Sequence, residues 1–204
     1  AVAGLTGEVS VADSATQSET RSAVVTVSLN GINDFAPVFT SNANFNAAEN
    51  GTAVGTVVAT DADAGAPALV YSLVGGADQA VFAINASTGV LRFLSAPDFE
   101  SPTDAGGDNV YNVDVQVSDG VNTALQNVAV TVTDGNDAPV ITSAATATAA
   151  ENQTVVTTVT ATDADGDIPT FAIVGGVDAA RFNIDANSGA LSFVAAPNFE
   201  APID

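Results

Sequence analysis

Residues 111 to 117 alternate without a break. Tyr111, Val113, Val115 and Val117 face one way, and Asn112, Asp114 and Gln116 face the other, the period-two pattern of a strand with one buried side. Shorter runs rich in Val, Ala, Ile and Phe recur along the chain, separated by Gly, Asn, Asp and Pro. Between about residues 37 and 138 they predict seven strands, at roughly 38–47, 52–60, 68–74, 80–84, 88–94, 109–118 and 123–133. No segment carries a helical period. Seven short alternating strands in about 100 residues predict an all-β, Greek-key sandwich.

The pattern repeats. Thr133-Asp134-Gly135-Asn136-Asp137-Ala138-Pro139 echoes Leu29-Asn30-Gly31-Ile32-Asn33-Asp34-Phe35-Ala36-Pro37, a step of 102 residues from Pro37 to Pro139. Ala48-Glu49-Asn50 returns as Ala150-Glu151-Asn152, and Asp61-Ala62-Asp63 as Asp163-Ala164-Asp165. After a two-residue deletion the step is 100, and Val74-Gly75-Gly76, Phe82, Gly89-Val90-Leu91 and Pro97-Asp98-Phe99-Glu100 match Val174-Gly175-Gly176, Phe182, Gly189-Ala190-Leu191 and Pro197-Asn198-Phe199-Glu200. So many anchors in one register identify a tandem repeat.

The repeat boundaries fall out of phase with the chain. Residues 37–138 read as one complete repeat. Residues 1–36 read as the last two strands of a repeat, with Leu5, Gly7, Val9 and Val11 leading to Asp13, then Val25, Val27 and Leu29 leading to Asn33-Asp34. Residues 139–204 read as the first five strands of another. The two partial repeats are complementary. They predict either a stretch of a longer array or copies that join head to tail, residues 139–204 of one taking residues 1–36 of the next into an open filament.

Charge narrows the function. The chain has 3 Lys and Arg against 24 Asp and Glu, a net charge of -21. Such a surface repels phosphate backbones and anionic lipids, which excludes nucleic-acid binding. Its many carboxylates without cationic partners point to divalent cations instead. There is no Cys and no His, so disulfides, thiolate or imidazole metal sites and Ser-His or Cys-His nucleophiles are excluded. No apolar run reaches the length of a membrane span. The first residues carry no basic, apolar export pattern, which places any export signal outside this stretch.

The order Glu49-Asn50, Asp61-Ala62-Asp63, Thr88-Gly89-Val90-Leu91, Pro97-Asp98-Phe99-Glu100, Asp119 and Asp134-Gly135-Asn136-Asp137 before a proline resembles a cadherin repeat of the divergent bacterial kind, over nearly the whole chain. The resemblance implies tandem sandwiches with calcium at their junctions, a cation that takes six to eight hard oxygen ligands. At the second junction it implies Glu49, Asp98 and Glu100, then Asp134, Asn136 and Asp137 from the linker, then Asp163 and Asp165. At the first it implies Asn33, Asp34, Asp61, Asp63 and Asp119. Asp13, Glu151 and Glu200 hold the equivalent places in the partial repeats and are expected to complete these sites between copies.

Departures from the family pattern lower the expected number of ions. Gly31 stands where the first linker Asp is expected, Phe35 replaces an Asn, the second linker is one residue short, and Asn198 replaces an Asp. An isolated Asp-x-Asp is ordinary turn chemistry; the matching Glu, linker and second copy are what argue for a metal here. Asp163-Ala164-Asp165-Gly166-Asp167 fails as an EF-hand because Val174 occupies the position of the bidentate Glu. Asp108 and Asp114 read as solvating charges. Asn50, Asn85 and Asn152 sit in glycosylation-like triplets at background frequency.

Asp98 and Glu100 also suggest a glycosidase pair, but with no Trp and two Tyr the chain lacks a sugar platform. The expectation is a non-enzymatic, extracellular or cell-surface protein, stiffened by Ca2+, that serves adhesion or builds a filament or matrix and does not insert into membranes. The alternative is a carbohydrate-binding accessory module of a secreted multidomain enzyme.

Overall fold

The Val-rich runs become strands and the Gly, Asn and Asp stretches become turns in the computed structural model, which describes residues 4–12, 20–28, 32–63 and 67–201. Two strands come first, β1 (Gly4–Ala12) and β2 (Thr20–Ser28). The central repeat holds β3 (Val38–Phe39), β4 (Asn44–Ala48), β5 (Ala53–Thr56), β6 (Ala59–Thr60), β7 (Val70–Gly75), β8 (Phe82–Ile84), β9 (Val90–Phe93), β10 (Val110–Ser118) and β11 (Thr123–Thr133). The last segment holds β12 (Val140–Ile141), β13 (Val155–Thr158), β14 (Ala161–Thr162), β15 (Phe182–Ile184) and β16 (Ala190–Phe193). Single 3₁₀ turns at Gln79–Val81 and Ala179–Arg181 are the helical elements among the described residues. The fold is all-β. The chain divides into two compact units, Ala1–Asp134 and Gly135–Asp204.

In the central repeat, β4-β11-β10-β7 form one sheet and β5-β9-β8 another, with β3 paired to β6. Two of the seven expected strands are each split. Residues 38–39 pair antiparallel with β6, whereas 44–48 run parallel to β11. The break lies where Thr40 and Ser41 both donate backbone N–H groups to the Val58 carbonyl, at 2.8 and 3.2 Å, and the Ser41 hydroxyl accepts from Val58 N at 3.0 Å. One carbonyl serving two donors ends the regular ladder, and the same knot separates β5 from β6.

The alternation in β10 is realised residue by residue. Tyr111, Val113, Val115 and Val117 are buried, and Val128, Val130 and Val132 of β11 join them. Across the sandwich they meet Phe82, Leu91 and Phe93, with Tyr111 edge-on to Phe93 at a centroid distance of 5.2 Å. Each fully buried valine contributes about 1.5–3 kcal/mol relative to exposure, so the β10–β11 pair carries much of the core. Gly89 is required at the turn into β9. Its φ is +70°, and a Cβ there would lie 2.1 Å from the Val57 carbonyl oxygen; Gly189 repeats both features against Val159.

The second unit reproduces half of this plan. β12 pairs with β14, and β13-β16-β15 form a sheet with the registers and the irregularity of β5-β9-β8. Residues 146–150 and 170–175, the counterparts of β4 and β7, are not strands. In the central repeat those two strands hold their ladders on β11 and β10. Among the described residues of the second unit nothing corresponds to that pair, and a strand without a partner has no ladder to hold it extended.

Candidate metal centre

Two carboxylate clusters stand where the chain enters and leaves the central repeat. At the entry, Asp61, Asp63 and Asp119 each bring a carboxylate oxygen within 4.8 Å of the others. The Asp-x-Asp turn sets the first two. Asp63 N donates to Asp61 Oδ1 at 2.8 Å, and Asp63 Oδ2 accepts from Phe35 N in the linker at 2.9 Å. Asp119, at the end of β10, is fully buried. Burial alone would push its carboxyl up, but the N–H groups of Asn122 and Val121 and the amides of Asn122 and Asn33 hold it below its ordinary value. Asn122 also donates to the Phe35 carbonyl at 3.0 Å, tying this loop to the linker.

Asn33 lies among these oxygens. Turned one way, its amide nitrogen donates to both Asp63 Oδ2 and Asp119 Oδ2 at 3.0 Å; turned the other, its oxygen joins theirs. In either orientation the amide sits against two carboxylates that belong to one cluster of three, and clustered hard oxygens are what calcium takes as ligands. Asp61 Oδ2, buried and without a hydrogen-bond partner, is a further hard donor in the same place. The set therefore fits calcium. Asp34 is exposed in the same linker.

At the exit, Glu49, Asp98 and Glu100 likewise converge within 4.8 Å. The Glu-Asn motif explains how. Asn50 turns the chain with a φ of 58°, its N–H donating to the Pro97 carbonyl at 3.0 Å, while the largely buried Glu49 accepts Phe99 N at 2.7 Å. That bond draws the Pro97-Asp98-Phe99-Glu100 loop against the motif. Asp98 Oδ1 caps the same loop by accepting Ser101 N at 3.0 Å. Asp134 closes the first unit.

The second unit builds the same local pieces. Asp165 N donates to Asp163 Oδ1 at 3.1 Å, and Asp165 Oδ2 accepts from Asp137 N, as Asp63 does from Phe35. Asn136 Nδ2 donates to the Asp137 carbonyl at 2.8 Å. Asn152 repeats the left-handed turn and its bond to the Pro197 carbonyl, and Glu151 Oε2 accepts Phe199 N at 3.1 Å. Asn198 Oδ1 accepts Glu200 N at 3.0 Å, where Asp98 Oδ1 accepts Ser101 N, so the uncharged side chain caps its loop through a different N–H. Asp13 lies outside the described residues.

Three polar residues that matter were not singled out from the sequence. Asp78 and Asp104 are buried and hold the long loop before β10: Asp78 accepts from Ala105 N and Asn112 N, both at 2.7 Å, and Asp104 from Asp108 N and Asn109 N. Asn122 is the third. Asp108 and Asp114 are more than solvating charges, since Asp108 accepts Val110 N and Asp114 accepts the Asn127 amide at 2.9 Å.

The sequence matches the family model of the cadherin domain over residues 43–133 and that of a bacterial Ig domain over residues 136–203. A curated relative, the cadherin EGF LAG seven-pass G-type receptor fmi-1 of Caenorhabditis elegans, is 34% identical over 116 residues, covering 53% of this chain and 4% of that protein. Among solved structures, mouse cadherin-23 EC22-24 is 25% identical with a TM-score of 0.52, over 97% of this chain and 66% of that one. Protocadherin gammaB7 EC3-6 gives 24% and 0.55, over 97% and 53%. The chain thus spans a small fraction of the receptor and about half of the protocadherin structure. Cadherin domains are adhesive and structural modules rather than catalytic ones. Residues 43–133 thus have the sequence match and the fold of a cadherin domain, and a segment that matches a bacterial Ig domain follows them.

Proposed function

We propose that this chain is an extracellular, calcium-stiffened repeat protein of a cell surface or matrix, in which Ca2+ at the repeat borders locks neighbouring sandwiches end to end. The neighbours are further repeats of a longer chain or other copies joined head to tail, with residues 1–36, 37–138 and 139–204 acting as the closing two strands, a complete repeat and the opening five strands. The observation that carries the reading is the cluster at the entry, where Asp61, Asp63 and Asp119 bring carboxylate oxygens within 4.8 Å of one another beside the Asn33 amide. Without a cation, like charges this close repel and loosen the linker they hold. With one, Asp63 and Asn122 keep their grip on Phe35.

Asn33, Asp34, Asp61, Asp63 and Asp119 would hold the entry ion; Glu49, Asp98, Glu100, Asp134, Asn136, Asp137, Asp163 and Asp165 would serve the second border. The chain has no Trp and both its tyrosines, Tyr71 and Tyr111, are buried, which favours this reading over a sugar-binding module built on Trp or Tyr faces in solvent. Among the described residues no helix is long and apolar enough to cross a membrane.

Melting in millimolar calcium and then in chelator tests the proposal. Extracellular modules bind calcium with dissociation constants of about 10⁻⁴–10⁻³ M, and a tenfold excess over the tighter value stabilises by about 1.4 kcal/mol per site. The Asp61→Asn/Asp63→Asn double variant should lose the entry share of that gain. A melting curve that ignores chelation overturns the calcium reading and leaves the fold untouched.

A further inference from the structure

In an Asn-Gly dipeptide the asparagine side chain is open to attack by the next backbone nitrogen, because glycine has no Cβ to shield it. The chain has two such pairs. Asn30-Gly31 lies outside the described residues, whereas Asn50-Gly51 sits in the turn of the Glu-Asn motif. Asn50 is exposed, with φ at 58°, and its N–H is held by the Pro97 carbonyl at 3.0 Å. Among the described residues nothing accepts the Gly51 N–H.

Attack closes a five-membered ring of Cγ, Cβ, Cα and C of Asn50 with the Gly51 nitrogen. Closure brings that nitrogen to the Cβ side of Cα, at a ψ of about −120°; with a positive φ this is the first central position of a type II′ turn. Asn50 already holds the φ. The reactive form is therefore reached by rotating one peptide unit, and its N–H has no bond among the described residues to give up. The rotation also swings the φ of Gly51, which glycine tolerates and a residue with a Cβ resists.

We infer that Asn50 is a site of spontaneous covalent modification in the folded chain. The Gly51 nitrogen, its proton passed to hydroxide, bonds to Asn50 Cγ; the Cγ–Nδ2 bond breaks and ammonia leaves. The cyclic imide then takes up one water. Opening at Cγ restores the main chain and leaves an aspartate at position 50. Opening at the main-chain carbonyl leaves the chain running through Cγ, an isoaspartate. One water is consumed and one ammonia released, with no oxidant or enzyme required.

The second unit holds the matching unreactive turn. Asn152 has the same φ of 58° and the equivalent bond, to the Pro197 carbonyl at 2.9 Å, but Gln153 follows it. The Gln153 side chain shields the nitrogen and opposes the rotation, so Asn152 keeps its amide. At Asn50 the products reach the exit loop. Asn50 N is anchored to the Pro97 carbonyl, and the Thr52 carbonyl to Phe93 N at 2.9 Å. An isoaspartate puts one more main-chain atom between these anchors, so one of them gives. The first adjoins Glu49, whose bond to Phe99 N holds the Asp98 and Glu100 loop.

Peptide mapping by mass spectrometry tests this on the full chain, kept folded or held in urea at neutral pH. In the folded chain Asn50 should turn from amide to acid at least about tenfold faster than Asn152, and within about tenfold of its own rate in urea. Two separable products should appear, with ammonia released in step. Gly51→Ala should slow the reaction about tenfold. That variant keeps the fold, because the added Cβ meets only the Ala48 and Glu49 carbonyl oxygens, at 3.8 and 3.9 Å, and Gly51 has no positive φ. Gln153→Gly should bring Asn152 to the rate of Asn50. Conversion confined to urea, equal rates at Asn50 and Asn152, a Gly51→Ala variant as fast as the parent, or a Gln153→Gly variant that leaves Asn152 inert would each overturn the inference. In the isolated isoaspartyl form, amide hydrogen exchange at residue 50 or 93 should rise about tenfold. Unchanged protection at both would sink the effect on the exit loop.

Discussion

The central repeat and the second unit share their anchors, their turns and half their sheets, yet among the described residues every member of the buried hydrophobic core belongs to the central repeat. Leu91 and Phe93 are buried there; Leu191 and Phe193, in the same registers, are only partly covered. The difference is the β10–β11 pair. A sandwich sheet without its facing strands keeps its local turns, because the partners of Gly89 and Gly189 (Val57 and Val159) and of Asn50 and Asn152 (Pro97 and Pro197) lie in the half both units share, but it does not make a dry interior. Local chemistry is written in each segment, whereas burial belongs to the pair of sheets.

The largest contrast should come from the matched ring. Phe93→Ala removes a fully buried side chain stacked on Phe82 at 4.7 Å and should cost about 3–5 kcal/mol. Phe193→Ala removes the same ring stacked on Phe182 at 4.9 Å but partly open to water, and should cost roughly half or less of that. Urea unfolding of dilute protein in chelator measures both. Equal losses would show that the second unit already owns a closed core.

Much of this contrast was legible in the sequence, and what was not has a physical reason. The Tyr111 to Val117 alternation specified β10 because one face of that strand is wholly buried, so the pattern has no exceptions. The splits at Thr40–Ala43 and Val57–Val58 were not visible, since they arise from a carbonyl shared across strands and from a change of sheet, neither of which alters the apolar pattern. The entry and exit carboxylates were found through their order and repetition. Asp78 and Asp104 were missed because a buried loop-holding Asp looks like any surface acid until its N–H partners are known; the recurrence of Asp78 as Asp178 was the one available signal.

A smaller effect should separate the two Glu-Asn motifs. Glu49 is 5% exposed and accepts Phe99 N at 2.7 Å, whereas Glu151 is exposed and accepts Phe199 N at 3.1 Å. Glu49→Gln keeps the shape and removes the charge on a buried acceptor, and should cost about 1–2 kcal/mol; Glu151→Gln should cost a few tenths, or about 0.3 kcal/mol. Melting in chelator checks both without the metal contribution. If Glu151→Gln proves as costly as Glu49→Gln, the second loop is held as firmly as the first and the contrast between the units is confined to the sheets.

Acid should act on both units, but more on the central repeat. Burial would push Asp104 and Asp119 up, yet the N–H groups of Asp108 and Asn109 on the one, and of Asn122 and Val121 on the other, hold both below the ordinary carboxylate value. A carboxyl depressed in the folded state binds its proton more readily when unfolded. Its stabilisation is therefore present above about pH 4 and is lost as pH falls through the folded value. Melting temperature followed from pH 6 downward in chelator should drop below about pH 4, and Asp119→Asn should flatten part of that drop. A curve that stays level to pH 2 would mean these loops do not contribute to stability.

The finest test exchanges a single turn residue between the units. Asn85 Oδ1 accepts Ser87 N and Thr88 N, both at 3.0 Å, and Asp185 Oδ1 accepts Asn187 N at 3.1 Å and Ser188 N at 2.8 Å. The geometry is one Asx turn with and without a charge. The Ser188 N–H and hydroxyl and the Asn187 N–H hold Asp185 below its ordinary value, so this turn loosens as pH falls through that lowered value, while its counterpart at Asn85 has no proton to gain. Asn85→Asp should leave stability at pH 7 within about 0.5 kcal/mol and give the central turn the acid response of the second; Asp185→Asn should remove that response. Amide hydrogen exchange at residues 87–88 and 187–188, followed from pH 6 to 3, resolves the two turns separately. Should the exchanged residues fail to carry the acid response with them, the surrounding sheets rather than the turn residue would be what sets it.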